Sequence, residues 1–300
     1  MSAPSRWNHS NPTPPMKNNR HERIELTGPG GEPVDFRRIL VSHGVATLPP
    51  NRIDEEAWTL ERTLTAGTLR AAEDPAGFAS FEPRSEEPTL RRMLNLEEDL
   101  SGFYTVAAED PLLSWATRGA GRMLRSPTVY EDVVKTICTT NCAWSATERM
   151  VGALVAQLGD GSFPTPEAMA EAADDFYRDV VRAGYRGPYL RSLAAGVAEG
   201  AIDLEALLDP ELPDEEAAAR LLALPGVGPY AAAHVMMLVG RYSRLVLDSW
   251  TRPKYATVNS GRAATDRTIE RRFRRYGPHA GLAFWLYLTR DWVADATGDD

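Results

Sequence analysis

Cysteine, lysine and long apolar runs are what this 300-residue chain has least of. Its two cysteines, Cys138 and Cys142, stand four apart with no second Cys or His pair nearby. A structural zinc or an iron–sulfur cluster takes about four such ligands, so neither is expected, and the pair reads as two reduced thiols. No stretch reaches the roughly 18 consecutive apolar residues that a membrane helix needs. Residues 1–21, rich in Pro, Asn and Ser, lack the apolar segment of a secretory signal. They read as a disordered tail, and the protein as cytoplasmic.

Basic residues are the minority, 33 against 42 acidic, for a net charge of −9. That sum argues against nucleic acid until its distribution is followed. Between Arg220 and Tyr276 eleven basic residues stand against three acidic ones, a net of +8, which leaves −17 on the remainder. A basic segment on an acidic protein can dock on phosphates; a solvated charged face is the plainer alternative.

The length suggests two domains. Ile24 to Leu26 and Trp58 to Leu64 alternate as strands do, with the Gly28-Pro29-Gly30-Gly31 turn and Pro49-Pro50 between them. One helix is expected from Asp35 to His43. Residues 22–103 therefore read as a small α+β domain. Beyond it the period becomes helical. Val151, Leu154, Val155 and Leu158 form a stripe that Gly159 ends, and Thr165-Pro166 opens another helix. Further helices are expected over 126–139, 188–199, 214–222, 229–240, 265–276 and 280–294. The body, 104–300, divides into one lobe at 126–218 and a second made of 104–125 with 219–300.

Leu224-Pro225-Gly226-Val227-Gly228 lies between two of these helices. Two glycines around one apolar residue make a tight hairpin, since glycine tolerates positive φ and close backbone approach. Val227 can pack back between the helices. The turn opens a helix at Pro229, whose free N–H groups and positive dipole end suit a phosphate. A Gly-x-Gly turn alone is weak, because most such turns only connect helices. Here Asp248 follows twenty residues after Gly228, behind the apolar run Leu245-Val246-Leu247.

This arrangement resembles the helix-hairpin-helix, Gly/Pro-rich-loop-and-Asp DNA glycosylase superfamily. Thr136 to Asn141, and Ala183-Gly184-Tyr185-Arg186 with Tyr189, are similar to segments of 8-oxoguanine DNA glycosylase that reach into the duplex. Gly277-Pro278-His279-Ala280-Gly281 resembles the start of its last helix. The N-terminal part is similar to the β domain of 3-methyladenine DNA glycosylase II. The resemblance implies a mainly α fold of two helical lobes with a small N-terminal α+β domain. It also implies base excision repair on double-stranded DNA containing a damaged base, by a monomer.

Cleaving an N-glycosidic bond builds positive charge on the sugar, which a nearby carboxylate stabilises while activating water. Asp248 is the candidate; it could equally cap the helix opening at Ser249, and both roles can hold together. Lyase-active relatives carry a nucleophilic lysine where this chain has Tyr230, so hydrolysis without strand cleavage is expected. Lys254, six residues past Asp248, is the one conceivable substitute. The base must leave the stack to be reached. The resemblance assigns Gly226, Val227 and Gly228 to the DNA backbone, Asn141 and Tyr185 to filling the hole, and Arg186 to the orphaned partner base. It sets Tyr230, His234, Trp250 and Phe284 around the flipped base. Their aromatic character favours a cationic alkylpurine such as 3-methyladenine, with 8-oxoguanine as the alternative. No organic cofactor is implied. A structural K⁺ or Na⁺ would sit on the backbone carbonyls of Leu222, Leu224 and Val227. The rival readings are a non-catalytic hairpin module that grips DNA and a helical protein scaffold. The first leaves unexplained an Asp inside a positive segment, where it weakens phosphate binding.

Overall fold

In the computed structural model, which describes residues 22–74 and 76–294, the N-terminal alternation becomes a five-stranded antiparallel sheet. Its strands are β1 (Glu22–Glu25), β2 (Asn51–Asp54), β3 (Thr59–Leu64), β4 (Gly67–Asp74) and β5 (Phe78–Glu82), in the order β1-β5-β4-β3-β2. The expected tail at 1–21 lies outside the described residues. Helices α1 (Phe36–Leu40) and α2 (Glu87–Met93) cover one face of the sheet. Leu60, Ala71 and Phe81 share one cross-strand row of that face and pack on Phe36, Ile39, Leu40 and Leu90. Strands β2, β4 and β5 were not anticipated. Charged residues interrupt their alternation, in Arg70, Glu73 and Asp74 of β4 for example.

The remainder is helical: α3 (Ser101–Ala108), α4 (Val129–Thr139), α5 (Trp144–Leu158), α6 (Pro166–Glu171), α7 (Gly187–Ala198), α8 (Asp214–Leu222), α9 (Pro229–Leu238), α10 (Thr251–Val258), α11 (Asp266–Phe273) and α12 (Ala280–Thr289). Caps fix several starts. The Thr128 hydroxyl accepts from the Glu131 amide at 3.2 Å, so α4 begins three residues later than the periodicity suggested. Thr165 caps α6 in the same way. At the other end α11 stops at Phe273, and a short turn runs on to Gly277, held at φ +55°.

Three apolar clusters organise the molecule. The sheet cluster takes in residues up to Leu96 together with Leu124, and a second begins at Leu100 and Phe103. Phe103 and Tyr104, either side of the expected boundary, belong to one helix, α3, and pack in the second cluster. That second cluster joins α3 to α11 and α12. The third runs through α4, α5, α7 and α8. Helix α9 is apolar all round and buried between the last two, with Ala231, Ala232, Val235 and Met236 on one side and Ala233, Met237 and Leu238 on the other. The sheet domain clasps α12: Trp285 Nε1 donates to the Ser42 carbonyl at 2.7 Å, and Arg38 donates to the carbonyls of Arg290 and Val293. Among the described residues no helix is long and apolar enough to cross a membrane.

Candidate active site

Helices α8 and α9 form the expected helix-hairpin-helix, and Val227 packs back among Leu221, Ala231 and Ala232. The glycines divide the work differently from the expectation. Gly226 has φ +78°, and a Cβ there would lie 2.9 Å from Tyr189 Cδ2. Gly228 is extended at φ −98°, caps α9, and a Cβ there would meet nothing. One glycine is therefore needed for folding and the other keeps the helix N-terminus bare. Gly226→Ala should lower stability by about 1–2 kcal/mol through the left-handed strain and the Tyr189 clash. Gly228→Ala should melt within about 0.5 kcal/mol of the parent yet bind duplex more weakly at every salt concentration. Thermal melts beside a salt titration of duplex affinity separate the two; equal affinity for Gly228→Ala and the parent would remove the hairpin from the DNA surface.

Twenty residues on, Asp248 stands before α10. Its Oδ1 accepts from the amides of Trp250 and Thr251, at 2.9 and 2.6 Å, and its own amide donates to Thr251 Oγ1 at 2.8 Å. This reciprocal cap fixes the carboxylate and leaves Oδ2 without a hydrogen bond among the described residues. The field of Asp248 reaches Tyr230, whose hydroxyl is raised above the usual phenol range, chiefly by burial, against the Thr139 hydrogen bond and with a smaller push from that charge. Tyr230 Oη lies 3.3 Å from Thr139 Oγ1.

From Tyr230 an aromatic wall continues. Its ring centroid is 6.0 Å from that of His234, which is 6.4 Å from Trp285, which in turn is 5.7 Å from Trp250. Trp292 closes the group at 5.6 Å from Trp250. Three of the four expected pocket residues, Tyr230, His234 and Trp250, thus stand together. Phe284 does not. It is wholly buried between Phe273 and Tyr255, because α12 turns that position into its lobe and presents the next residue, Trp285, to the wall. The sequence reading also missed Trp292 and Thr139.

Asn141 sits after α4 at φ +47°, exposed, and its Nδ2 donates to Tyr185 Oη at 3.3 Å. Tyr185 and Tyr189 are 53% and 40% exposed, and their rings meet edge-on at 6.2 Å beside the hairpin. Arg186 is not on this surface. It is 6% exposed, donates to the carbonyls of Thr140 and Ala183, and lies 4.5 Å beneath the Tyr185 ring. Placed so, the guanidinium is turned toward the chain and away from the exposed Asn141–Tyr185 surface. Arg186 ties the Tyr185 loop to the Asn141 loop instead.

The basic segment is also less free than its count implied. Arg220, Arg241 and Arg244 pair with Glu216, Asp214 and Glu215; Arg252 pairs with Asp266, Lys254 with Asp291 and Arg275 with Asp110. Arg262, Arg267, Arg271 and Arg274 are exposed and pair with no carboxylate among the described residues. Lys254 Nζ lies 2.7 Å from Asp291 Oδ2, and Lys135 is buried 2.7 Å from Glu131.

The chain as a whole is similar to known proteins. The chain is 30% identical over 234 residues to the putative DNA-3-methyladenine glycosylase YfjP of Bacillus subtilis, covering 72% of this chain and 79% of that protein. It belongs to the helix-hairpin-helix DNA glycosylase superfamily. N-glycosylase/DNA lyase OGG1 of Arabidopsis thaliana is 26% identical over 303 residues, covering 91% of this chain and 78% of that one. The 3-methyladenine DNA glycosylase of Archaeoglobus fulgidus has the same glycosylase fold, with a TM-score of 0.68 at 20% identity over 91% of this chain and all of that one. No family model matches the chain.

Proposed function

We propose that this glycosylase is monofunctional and hydrolyses the N-glycosidic bond of a flipped, alkylated purine in double-stranded DNA, as a step of base excision repair. The observation that carries the reading is the Asp248 carboxylate, whose Oδ2 makes no hydrogen bond among the described residues, held on the Trp250 amide and within electrostatic reach of Tyr230, two members of the wall formed by Tyr230, His234, Trp285 and Trp250. The electron-rich faces of that wall stack on a cationic base. As the bond between C1′ and the base nitrogen breaks, the base takes the electron pair and leaves neutral. The sugar carries the positive charge, which Oδ2 opposes. Water adds its oxygen to C1′, and Asp248 accepts its proton.

Lyase chemistry requires a free amine at the sugar. Tyr230 stands where lyase-active relatives carry lysine, Lys254 is held by Asp291, and Lys135 is buried against Glu131. The exposed pair Asn141–Tyr185 would fill the space of the flipped base, and the bare N-terminus of α9 would take a backbone phosphate. Among the described residues the hairpin carbonyls of Leu222 and Val227 accept no backbone hydrogen bond, whereas that of Leu224 accepts the Val227 amide at 3.2 Å. Together they would hold a K⁺ or Na⁺ that steadies the turn.

A base-release assay tests the reading on duplexes carrying 3-methyladenine, 7-methylguanine or 8-oxoguanine, with and without alkaline treatment. The expected result is release of an alkylated base, with strand breaks appearing only after alkali. Release of 8-oxoguanine alone would replace the substrate class. Strand breaks without alkali would refute the monofunctional mode.

A further inference from the structure

Beside the aromatic wall, three imidazole nitrogens have no hydrogen-bond partner among the described residues. His234 is 3% exposed, and neither ring nitrogen has a hydrogen-bond partner. His43 meets it edge-on, with centroids 5.5 Å apart and planes at 78°. It comes from the sheet domain, at the residue preceding the short helical turn Gly44–Thr47, and is 2% exposed. Its Nε2 lies 2.8 Å from the Leu124 carbonyl oxygen. A carbonyl only accepts, so Nε2 carries the proton and Nδ1 is a bare acceptor. That Nδ1 has no partner either. Buried polar atoms left unpaired are rare in folded proteins, and a ligand or an ordered water commonly completes them.

Burial keeps both rings neutral. His43 is pushed down to about 3, chiefly by burial with help from the neighbouring His234 and Lys135 and against the Leu124 bond, and His234 is pushed down to about 4 by burial. Neutral imidazoles receive a donor without repelling a cation. Tyr230 stands on one side of His234 and Trp285 on the other, so the pair lies within the surfaces assigned above to stacking.

We propose that His43 and His234 read the hydrogen-bonding edge of the flipped base, with His43 Nδ1 accepting from its exocyclic amino group. This rests on the glycosylase reading and narrows its substrate class. Alkylated purines that keep an exocyclic amino group, such as 7-methylguanine, are favoured over a purine that has none, such as hypoxanthine, which carries only hydrogen at C2. The positive charge of an alkylated purine strengthens its N–H donor. A site built to bond an N–H rejects the analogue that lacks one, because its own buried acceptor is then left unpaired. His43 would thus be a specificity residue supplied by the sheet domain to a centre that otherwise lies in the helical body.

The test compares excision of 7-methylguanine and hypoxanthine by the parent, His43→Phe and His43→Asn in the full chain. The parent should favour 7-methylguanine. His43→Phe should slow release of 7-methylguanine by about 10- to 100-fold and of hypoxanthine by less than about threefold, compressing the preference. His43→Asn, whose amide oxygen can supply an acceptor near the Nδ1 position, should recover part of the loss. Affinity for a duplex with an abasic-site analogue, which has no base to read, is measured beside it. A matching loss of that affinity, an equal loss on both bases, or no loss on either would overturn the role of His43 while leaving the glycosylase reading intact. Failure of the parent to release any base would overturn both.

Discussion

Asp248→Asn should slow base release by about 10²- to 10⁴-fold while binding damaged duplex as tightly as the parent. The substitution is informative because the two carboxylate oxygens do different things. Oδ1 accepts from the Trp250 and Thr251 amides and so holds the start of α10. An asparagine oxygen makes the same bonds, and Asn is as good a cap as Asp, so melting should change little. What disappears is the negative charge on the unbonded Oδ2. Asp248→Ala removes the cap as well and should cost about 0.5–2 kcal/mol of stability in addition to activity. Single-turnover release of 7-methylguanine, read beside thermal melts and duplex affinity, distinguishes the two losses. An asparagine variant that still excises at the parent rate would reduce Asp248 to a cap.

The catalytic half of the molecule was the more legible in sequence because its signals are local. A hairpin needs glycine at φ +78°, a cap needs an oxygen side chain, and the twenty residues from Gly228 to Asp248 are one helix and one loop. The aromatic wall is built otherwise. His43 and His234 are brought together by the clasp of the sheet domain on α12, and no local pattern marks a pair 191 positions apart. Phe284 and Trp285 are adjacent aromatics in a helix buried along its length. Periodicity cannot say which of them faces the wall when every face is apolar. Charge misled for a similar reason. The arginines are clustered in sequence, but their partners Asp110, Asp214 and Glu215 come from elsewhere in the chain and become visible only in three dimensions.

The largest effect on stability is expected at Glu131, which looks unremarkable in sequence. Arg62 follows Leu60 by two residues on β3 and so faces the same side, toward the helical body. There its Nη1 and Nη2 donate to the two Glu131 oxygens at 3.0 and 2.6 Å, and Lys135 Nζ lies 2.7 Å from Oε1. All three side chains are at most 2% exposed. Burial alone would raise the Glu131 carboxyl; Lys135 and Arg62 outweigh it and hold the group below the usual carboxylate range. Glu131→Gln leaves two buried cations facing a neutral amide, and should cost about 3–5 kcal/mol. The triple variant Arg62→Met, Glu131→Met, Lys135→Met removes the charges together and should recover most of that loss in denaturant titrations. If the triple variant is as unstable as Glu131→Gln, the triad contributes by shape and not by charge. Base preference should separate the two variants for a structural reason. Lys135 also donates to the Leu48 carbonyl at 3.4 Å, five residues beyond His43. Lys135→Met removes that anchor from the segment that carries His43, so the triple variant should compress the preference for 7-methylguanine even where its stability is recovered, and Glu131→Gln, which keeps the lysine, should compress it less.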